Sequence, residues 1–184
     1  MKHPSLLSKE NSVLVIVDVQ DRLLHALDQW NIMLIQTMTL IKAANVFHIP
    51  MLITEQYPKG LGHTNNDLIE LTPSVPRIEK TQFNCFDSDL FCHQLEAIGA
   101  KSLVFVGGET HICIMQTALH AIDKGYSVHV VTDAVSSRLA YQKELGLKRI
   151  YQAGGILSSV EMVIYEWLER ADSQEFKAIL PLIK

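Results

Sequence analysis

Short runs of β-branched and aliphatic residues recur along the chain at intervals too long for hairpins. They are Val13-Leu14-Val15-Ile16-Val17, Met51-Leu52-Ile53-Thr54, Leu103-Val104-Phe105-Val106 and Ser127-Val128-His129-Val130-Val131. Such runs are apolar on both parities, which suits strands covered on both faces, as in a parallel sheet. The stretches between them carry helical spacing. Ile32, Leu34, Ile35, Met38, Ile41 and Ala44 mark a helix over Trp30 to Phe47. Asp87 or Ser88 caps another through Leu90, Leu95 and Ile98 that stops at Gly99, and a third runs from about His111 to Lys124 before Gly125. Helices around Tyr141 to Gln152 and Glu161 to Arg170, a strand over Val75 to Ile78 and a short apolar segment, Gly155-Ile156-Leu157-Ser158, complete the set. This alternation predicts an α/β fold with a central parallel sheet and right-handed crossovers. With no linker, repeat or low-complexity tract, residues 1–184 read as one domain.

A chain of 184 residues that is 48% hydrophobic and 20% charged is long enough to bury a sizeable core. Sixteen Lys and Arg against twenty Asp and Glu leave a formal charge of −4, and no basic cluster is present to hold a phosphate backbone. Nucleic acid is therefore excluded as an expected partner. The longest purely apolar run, Val13 to Val17, falls far short of the roughly twenty residues a membrane span needs. The start, Met1-Lys2-His3-Pro4-Ser5, has no hydrophobic stretch followed by a cleavage site, so a cytoplasmic protein is expected. Cys85, Cys92 and Cys113 form an odd set without CxxC spacing, which predicts free thiols rather than a disulfide framework or zinc knuckle.

In open parallel sheets ligands bind beyond the carboxyl ends of the strands. That rule selects Asp18, Val19 and Gln20 after the first strand, and Glu55, Gln56, Tyr57 and Pro58 after the second. It also selects Glu79 and Lys80, the segment Gly107-Gly108-Glu109-Thr110-His111-Ile112-Cys113, and Asp133 with Ser136-Ser137-Arg138. Cys113 falls in the first turn of a helix after two glycines, where unpaired N–H groups and the helix dipole favour a thiolate and can hold an oxyanion. A cysteine between Ile112 and Ile114 is also read as a small buried hydrophobe. Asp18 ends an apolar strand, so its carboxylate must be hydrated, paired or functional. Lys80 alone reads as a solvated surface charge.

Taken together, Asp18 in Val17-Asp18-Val19-Gln20, Lys80 in Glu79-Lys80-Thr81-Gln82-Phe83 and Cys113 in its glycine-led segment resemble the Asp, Lys and Cys motifs of the isochorismatase-like cysteine hydrolases. The resemblance covers nearly the whole chain, including Val131-Thr132-Asp133-Ala134 and Ser136-Ser137-Arg138. The loop Thr54 to Gly62 is similar to that of the isochorismatase-domain proteins of unassigned substrate. The resemblance implies a three-layer α/β/α, Rossmann-like fold with a six-stranded parallel sheet. It further implies a Cys113-Asp18-Lys80 triad, a covalent intermediate and a cis peptide joining Gly108 to Glu109. The N–H groups of Glu109 and Cys113 would then form the oxyanion hole, and a homo-oligomer, dimer or larger, is expected.

Nicotinamidases of the superfamily place an Asp-x-His and a further His after the second strand. Here the stretch reads Thr54-Glu55-Gln56-Tyr57 with only His63 nearby, so no metal and no cofactor are expected. Cys113 favours hydrolysis of an amide over the vinyl ether of true isochorismatases, whose members often lack that cysteine. A small-molecule substrate is implied, with Gln20, Tyr57, Phe83 and Gly108 as candidate contacts. The alternative from another class is a catalytically quiet oligomeric binding protein of the same fold. His111, two residues before Cys113, points to another helix face and reads as a cap or a solvent-facing residue. Cys85 and Cys92 read as packing residues.

Overall fold

The computed structural model describes residues 3–183; Met1, Lys2 and Lys184 lie outside the described residues. In chain order, β1 (Ser12–Val17) leads through α1 (Asp21–Leu24) and α2 (Trp30–Phe47) to β2 (Met51–Gln56). Helices α3 (Pro58–Leu61) and α4 (Asn66–Leu71) precede β3 (Arg77–Lys80), and α5 (Asp89–Ile98) leads to β4 (Ser102–Gly108). A π-helical turn, Thr110–Ile114, runs directly into α6 (Met115–Asp123). Then come β5 (Ser127–Ser136), α7 (Ala140–Gln152), β6 (Ile156–Ser158), α8 (Val160–Leu168) and α9 (Gln174–Ile179).

The six strands form one sheet in the order β3-β2-β1-β4-β5-β6, and all five strand pairs are parallel. Every residue of β1 is buried, as its unbroken apolar run requires for a central strand. The period-2 alternation of the strand divides that run between two cores. Leu14 and Ile16 pack with α2, α4, α8 and α9, including Leu40, Leu68, Trp167 and Ile179. Val13, Val15 and Val17 pack on the other face with α5, α6 and α7, including Phe91, Ala118 and Ile150. Helices therefore cover both faces, giving the expected three layers.

Several boundaries differ from the sequence reading for identifiable reasons. The helix expected from His111 begins as the π-turn, in which Thr117 donates its hydroxyl to the carbonyl of Cys113 at 2.7 Å. The third strand lies two residues later than expected, so Glu79 and Lys80 are inside it. The fifth extends to Ser136, past a register shift opposite Phe105 and Gly107, which places Asp133 within the strand. There Asp133 accepts the N–H of Val160 at 2.9 Å and fixes the start of α8.

Two glycines set the geometry near the end of β4. Gly107 has φ 108°, and a Cβ there would sit 2.1 Å from the carbonyl oxygen of Val17. Gly146 lets α7 lie against the π-turn, since a Cβ would come within 2.9 Å of the Cα of His111. The C-terminal segment, apolar for a chain end, packs on its own core, with Ile179 buried and Phe176, Leu182 and Ile183 partly so.

Candidate active site

Strand register brings the selected residues together at the carboxyl edge of the sheet. Val17 is opposite both Thr54 and Gly107, and Gln56 is opposite Lys80. The residue after β1 thus meets the ends of β2 and β4, while β3 supplies Lys80 from beyond β2. Asp18 turns off the strand at φ 52°, a left-handed conformation that aspartate tolerates better than most residues. Its N–H still donates to the carbonyl of Thr54 at 3.1 Å.

The Asp18 carboxylate is held at both oxygens. Thr54 Oγ1 donates to Oδ1 at 2.7 Å, and Lys80 Nζ donates to Oδ2 at 2.8 Å. The thiol of Cys113 lies within the electrostatic reach of the same carboxylate, and Cys113 is only 5% exposed. Asp18, Lys80 and Cys113 therefore converge in one buried cluster. Burial works against the charge of Lys80, but the Asp18 carboxylate and the neighbouring thiols hold its ammonium above the usual range.

The surroundings of the thiol add two influences that the sequence reading did not weigh. Burial pushes the Cys113 thiol up, the Asp18 charge pushes it further, and Lys80 offsets only part of the rise. A helix start is opposed by both effects here, and the direction of the shift favours a thiol beside a carboxylate over a preformed thiolate. Proton transfer has to accompany attack.

The peptide between Gly108 and Glu109 is cis. The carbonyl of Glu109 accepts the N–H groups of Ile112 and Ile114, which winds the turn carrying Cys113. The Glu109 carboxylate is also fixed, by Arg138 Nε at 2.8 Å, with His111 Nδ1 3.6 Å away. His111 is neither a cap nor free in solvent: its Nδ1 lies 3.0 Å from Ser137 Oγ, across to the end of β5.

The four expected substrate contacts are placed differently from one another. Gln20 is fully buried, and its amide is used by backbone groups of Gln56 and Gly62, so it braces a loop instead of facing a ligand. Tyr57 is half exposed and shares a cavity of about 480 Å³ with Lys59, Glu79, Lys80, Gln82, Asp87 and Asp89. Phe83 is about half exposed beyond β3, and no hydrogen bond or ring contact among the described residues ties it to Cys113. Gly108 ends β4 with Leu27 packed over it.

Two residues hold the charged pair without having been given a role by the sequence reading. Thr54 holds Asp18, and Gln56, selected only as a residue at a strand end, holds Lys80. Cys85 packs in the core, as read, with burial pushing its thiol up to about 11 and Lys80 offsetting part of the rise. Its N–H donates to Thr117 Oγ1 at 3.0 Å, the hydroxyl that also holds the Cys113 carbonyl.

Near the end of β2, Glu55 accepts from the N–H and hydroxyl of Thr64, both at 2.7 Å, and contacts His63 Nδ1 at 3.0 Å. Those bonds hold the Glu55 carboxyl low against its burial. Among the described residues, no group of three His, Cys, Asp or Glu is arranged to hold a metal ion.

Residues 12–162 match the family model for the isochorismatase domain. A secreted isochorismatase effector of Phytophthora sojae is 36% identical over 178 residues, covering 95% of this chain and 85% of that protein. Of solved structures, one described as MAR1 ribonuclease from Caenorhabditis elegans has a TM-score of 0.91 at 34% identity, covering 97% of this chain and 92% of its own. YcaC from Pseudomonas aeruginosa, solved with hexane-2,5-diol and covalent acrylamide, has a TM-score of 0.92 at 26% identity, covering 99% and 93%. The YcaC gene product of Escherichia coli, described as an octameric hydrolase of unknown specificity, gives 0.92 at 26% identity, covering 99% and 92%.

Proposed function

The chain belongs to the isochorismatase domain family, and on that premise we propose that it is a cysteine hydrolase cleaving the C–N bond of a small amide or related carbonyl compound. Family membership supports hydrolase-type chemistry. The finer reading rests on one observation: a single buried carboxylate, Asp18, is hydrogen-bonded to the Lys80 ammonium at 2.8 Å and acts electrostatically on the buried Cys113 thiol beside it.

In this mechanism Asp18 accepts the thiol proton as the sulfur attacks the carbonyl carbon. The carbonyl oxygen becomes an oxyanion received by the N–H groups of Glu109 and Cys113, with Lys80 balancing the added negative charge. Asp18 returns the proton to the nitrogen, the C–N bond breaks, and an acyl thioester remains on Cys113. Asp18 then takes a proton from a water that attacks the thioester; collapse releases the acid and restores the thiol. Water is consumed and one acid and one amine are produced, so the cycle needs no redox partner.

The covalent acrylamide in the P. aeruginosa relative supports a reactive nucleophile in this fold. The nematode relative's description as a ribonuclease is not carried over. This chain has a net charge of −4, and Glu79, Asp87 and Asp89 line the cavity beside Lys80, where they repel a phosphate backbone. A homo-oligomer is also part of the reading, supported by the octameric E. coli relative and by half-exposed Leu139, Tyr141 and Leu145 at the start of α7; light scattering that finds a monomer at micromolar concentration overturns it. No helix among the described residues is long and apolar enough to cross a membrane. The three free cysteines fit a reducing compartment, and we assign the cytoplasm, which cell fractionation tests.

The deciding experiment incubates wild type and Cys113→Ala with a panel of small amides and follows product release and intact mass. The expected result is turnover by wild type alone, with an acyl adduct on Cys113 whose mass identifies the substrate. Turnover by both proteins, or by neither across a diverse panel, overturns the reading.

A further inference from the structure

We propose that Gln56 is a positioning residue that, anchored by Gln20, holds the Lys80 ammonium jointly with Asp18 and so keeps its positive charge available to the charge that develops at Cys113. The inference rests on Cys113 being the nucleophile. An ammonium has three donors and no acceptor. Asp18 Oδ2 takes one at 2.8 Å and Gln56 Oε1 takes a second at 2.6 Å. The third is not taken by either of these acceptors, and the thiol of Cys113 lies within the electrostatic reach of Lys80.

The orientation of Gln56 is over-determined. Its Nε2 donates to the carbonyl of Thr81 at 2.8 Å, which leaves Oε1 directed at Lys80. Its backbone is gripped at both polar groups by one side chain: the Gln56 N–H donates to Gln20 Oε1 at 2.7 Å, and Gln20 Nε2 donates to the Gln56 carbonyl at 3.0 Å. Gln20 Nε2 also reaches the carbonyl of Gly62. Gln20 is fully buried and lies two residues after Asp18, whose carbonyl accepts its N–H at 3.0 Å. One short segment after β1 therefore carries the proposed base and also fixes the second acceptor of Lys80.

Neutrality is the second requirement. Gln56 satisfies a donor without adding charge, so the single positive charge of Lys80 is shared only between Asp18 and whatever negative charge develops on sulfur or oxygen. A carboxylate at position 56 would compete for it at close range inside a poorly solvated site.

The test uses iodoacetamide as the probe, so it requires no known substrate. Alkylation of Cys113 at pH 8 is followed by peptide mass spectrometry, with Cys92 as internal reference, in wild type, Gln56→Glu, Gln56→Met, Gln20→Met and Lys80→Met, and in the double variant Lys80→Met/Gln56→Glu. Gln56→Glu is expected to slow Cys113 alkylation at least tenfold, and Gln56→Met and Gln20→Met about threefold, with Cys92 unchanged. In the Lys80→Met background, Gln56→Glu should add less than twofold, because its effect acts through the lysine. Full-rate alkylation in Gln56→Glu, or an equal slowing with and without Lys80, overturns the inference. Should Gln56→Glu fail to fold, the Gln56→Met and Gln20→Met rates decide alone, and wild-type rates in both overturn it. If Lys80→Met itself leaves Cys113 alkylation unchanged, the triad of the proposed function fails instead. The two failures are thus separable.

Discussion

Lys80 Nζ lies 2.8 Å from Asp18 Oδ2, and neither side chain reaches solvent. Removing one partner of such a pair leaves the other buried and uncompensated. Asp18→Asn is therefore expected to lower kcat/KM by about 1,000-fold through loss of the proton acceptor, and also to cost about 3 kcal/mol of stability. Kinetics on an identified substrate, paired with urea unfolding, checks both; near-normal activity in a folded variant removes Asp18 as the base.

Lys80→Met and His111→Ala separate this mechanism from a cysteine–histidine pair. The lysine variant should lose about 100-fold or more in kcat, since negative charge then develops without compensation. His111 bonds to Ser137 and faces Glu109, so its loss should change kcat/KM by less than about tenfold. A dead histidine variant beside an active lysine variant reverses the assignment.

Reactivity of Cys113 should rise with pH through the alkaline range. Burial and Asp18 push its thiol up, so at pH 6 iodoacetamide is expected to label it no faster than half-buried Cys92. Rapid, selective labelling of Cys113 at pH 6 would show a preformed thiolate and contradict a resting thiol.

His129 is buried in β5, and desolvation pushes its imidazole down from 6.5 to about 4. Its neutral form is favoured in the folded chain, so its contribution is complete above pH 6.5 and is lost as pH falls toward 4, where the unfolded chain takes up the proton first. The loss amounts to about 3 kcal/mol. Urea unfolding at pH 7 and pH 4.5 should show a smaller pH dependence in His129→Gln than in wild type; equal dependence rejects the assignment.

Gly146→Ala should disturb the site from a distance. Its Cβ would press on the backbone of His111 and Thr110, and overpacking of this kind costs about 1–3 kcal/mol. A lower Tm together with slower Cys113 alkylation is expected, and an unchanged Tm refutes the close contact.

The sheet and the buried cluster were legible because their signals are local. Val13 to Val17 is apolar on both parities, and Asp18 is conspicuous for ending it. The partners were not legible, since they depend on register: Thr54 reaches Asp18 only because β1 and β2 align at Val17, and Gln56 reaches Lys80 only because β2 and β3 align there. Gln20 looked like a ligand contact because an amide after a strand has the same appearance whether it faces a pocket or a loop backbone. Asp133 was misplaced for a related reason. The register shift between β4 and β5 adds strand beyond the apolar run, and nothing in residues 127–136 announces it.

Asp18 and Lys80 are 62 positions apart, and Cys113 enters from a third strand end. No contiguous fragment shorter than the span from β1 to the π-turn contains all three. During refolding, helices form from local contacts early, whereas these contacts must wait for distant segments to close. Thiol chemistry at Cys113 therefore serves as a clock for the last stage of folding: its dependence on Lys80 should appear after helical signal has recovered, when four strands have locked into their final alignment.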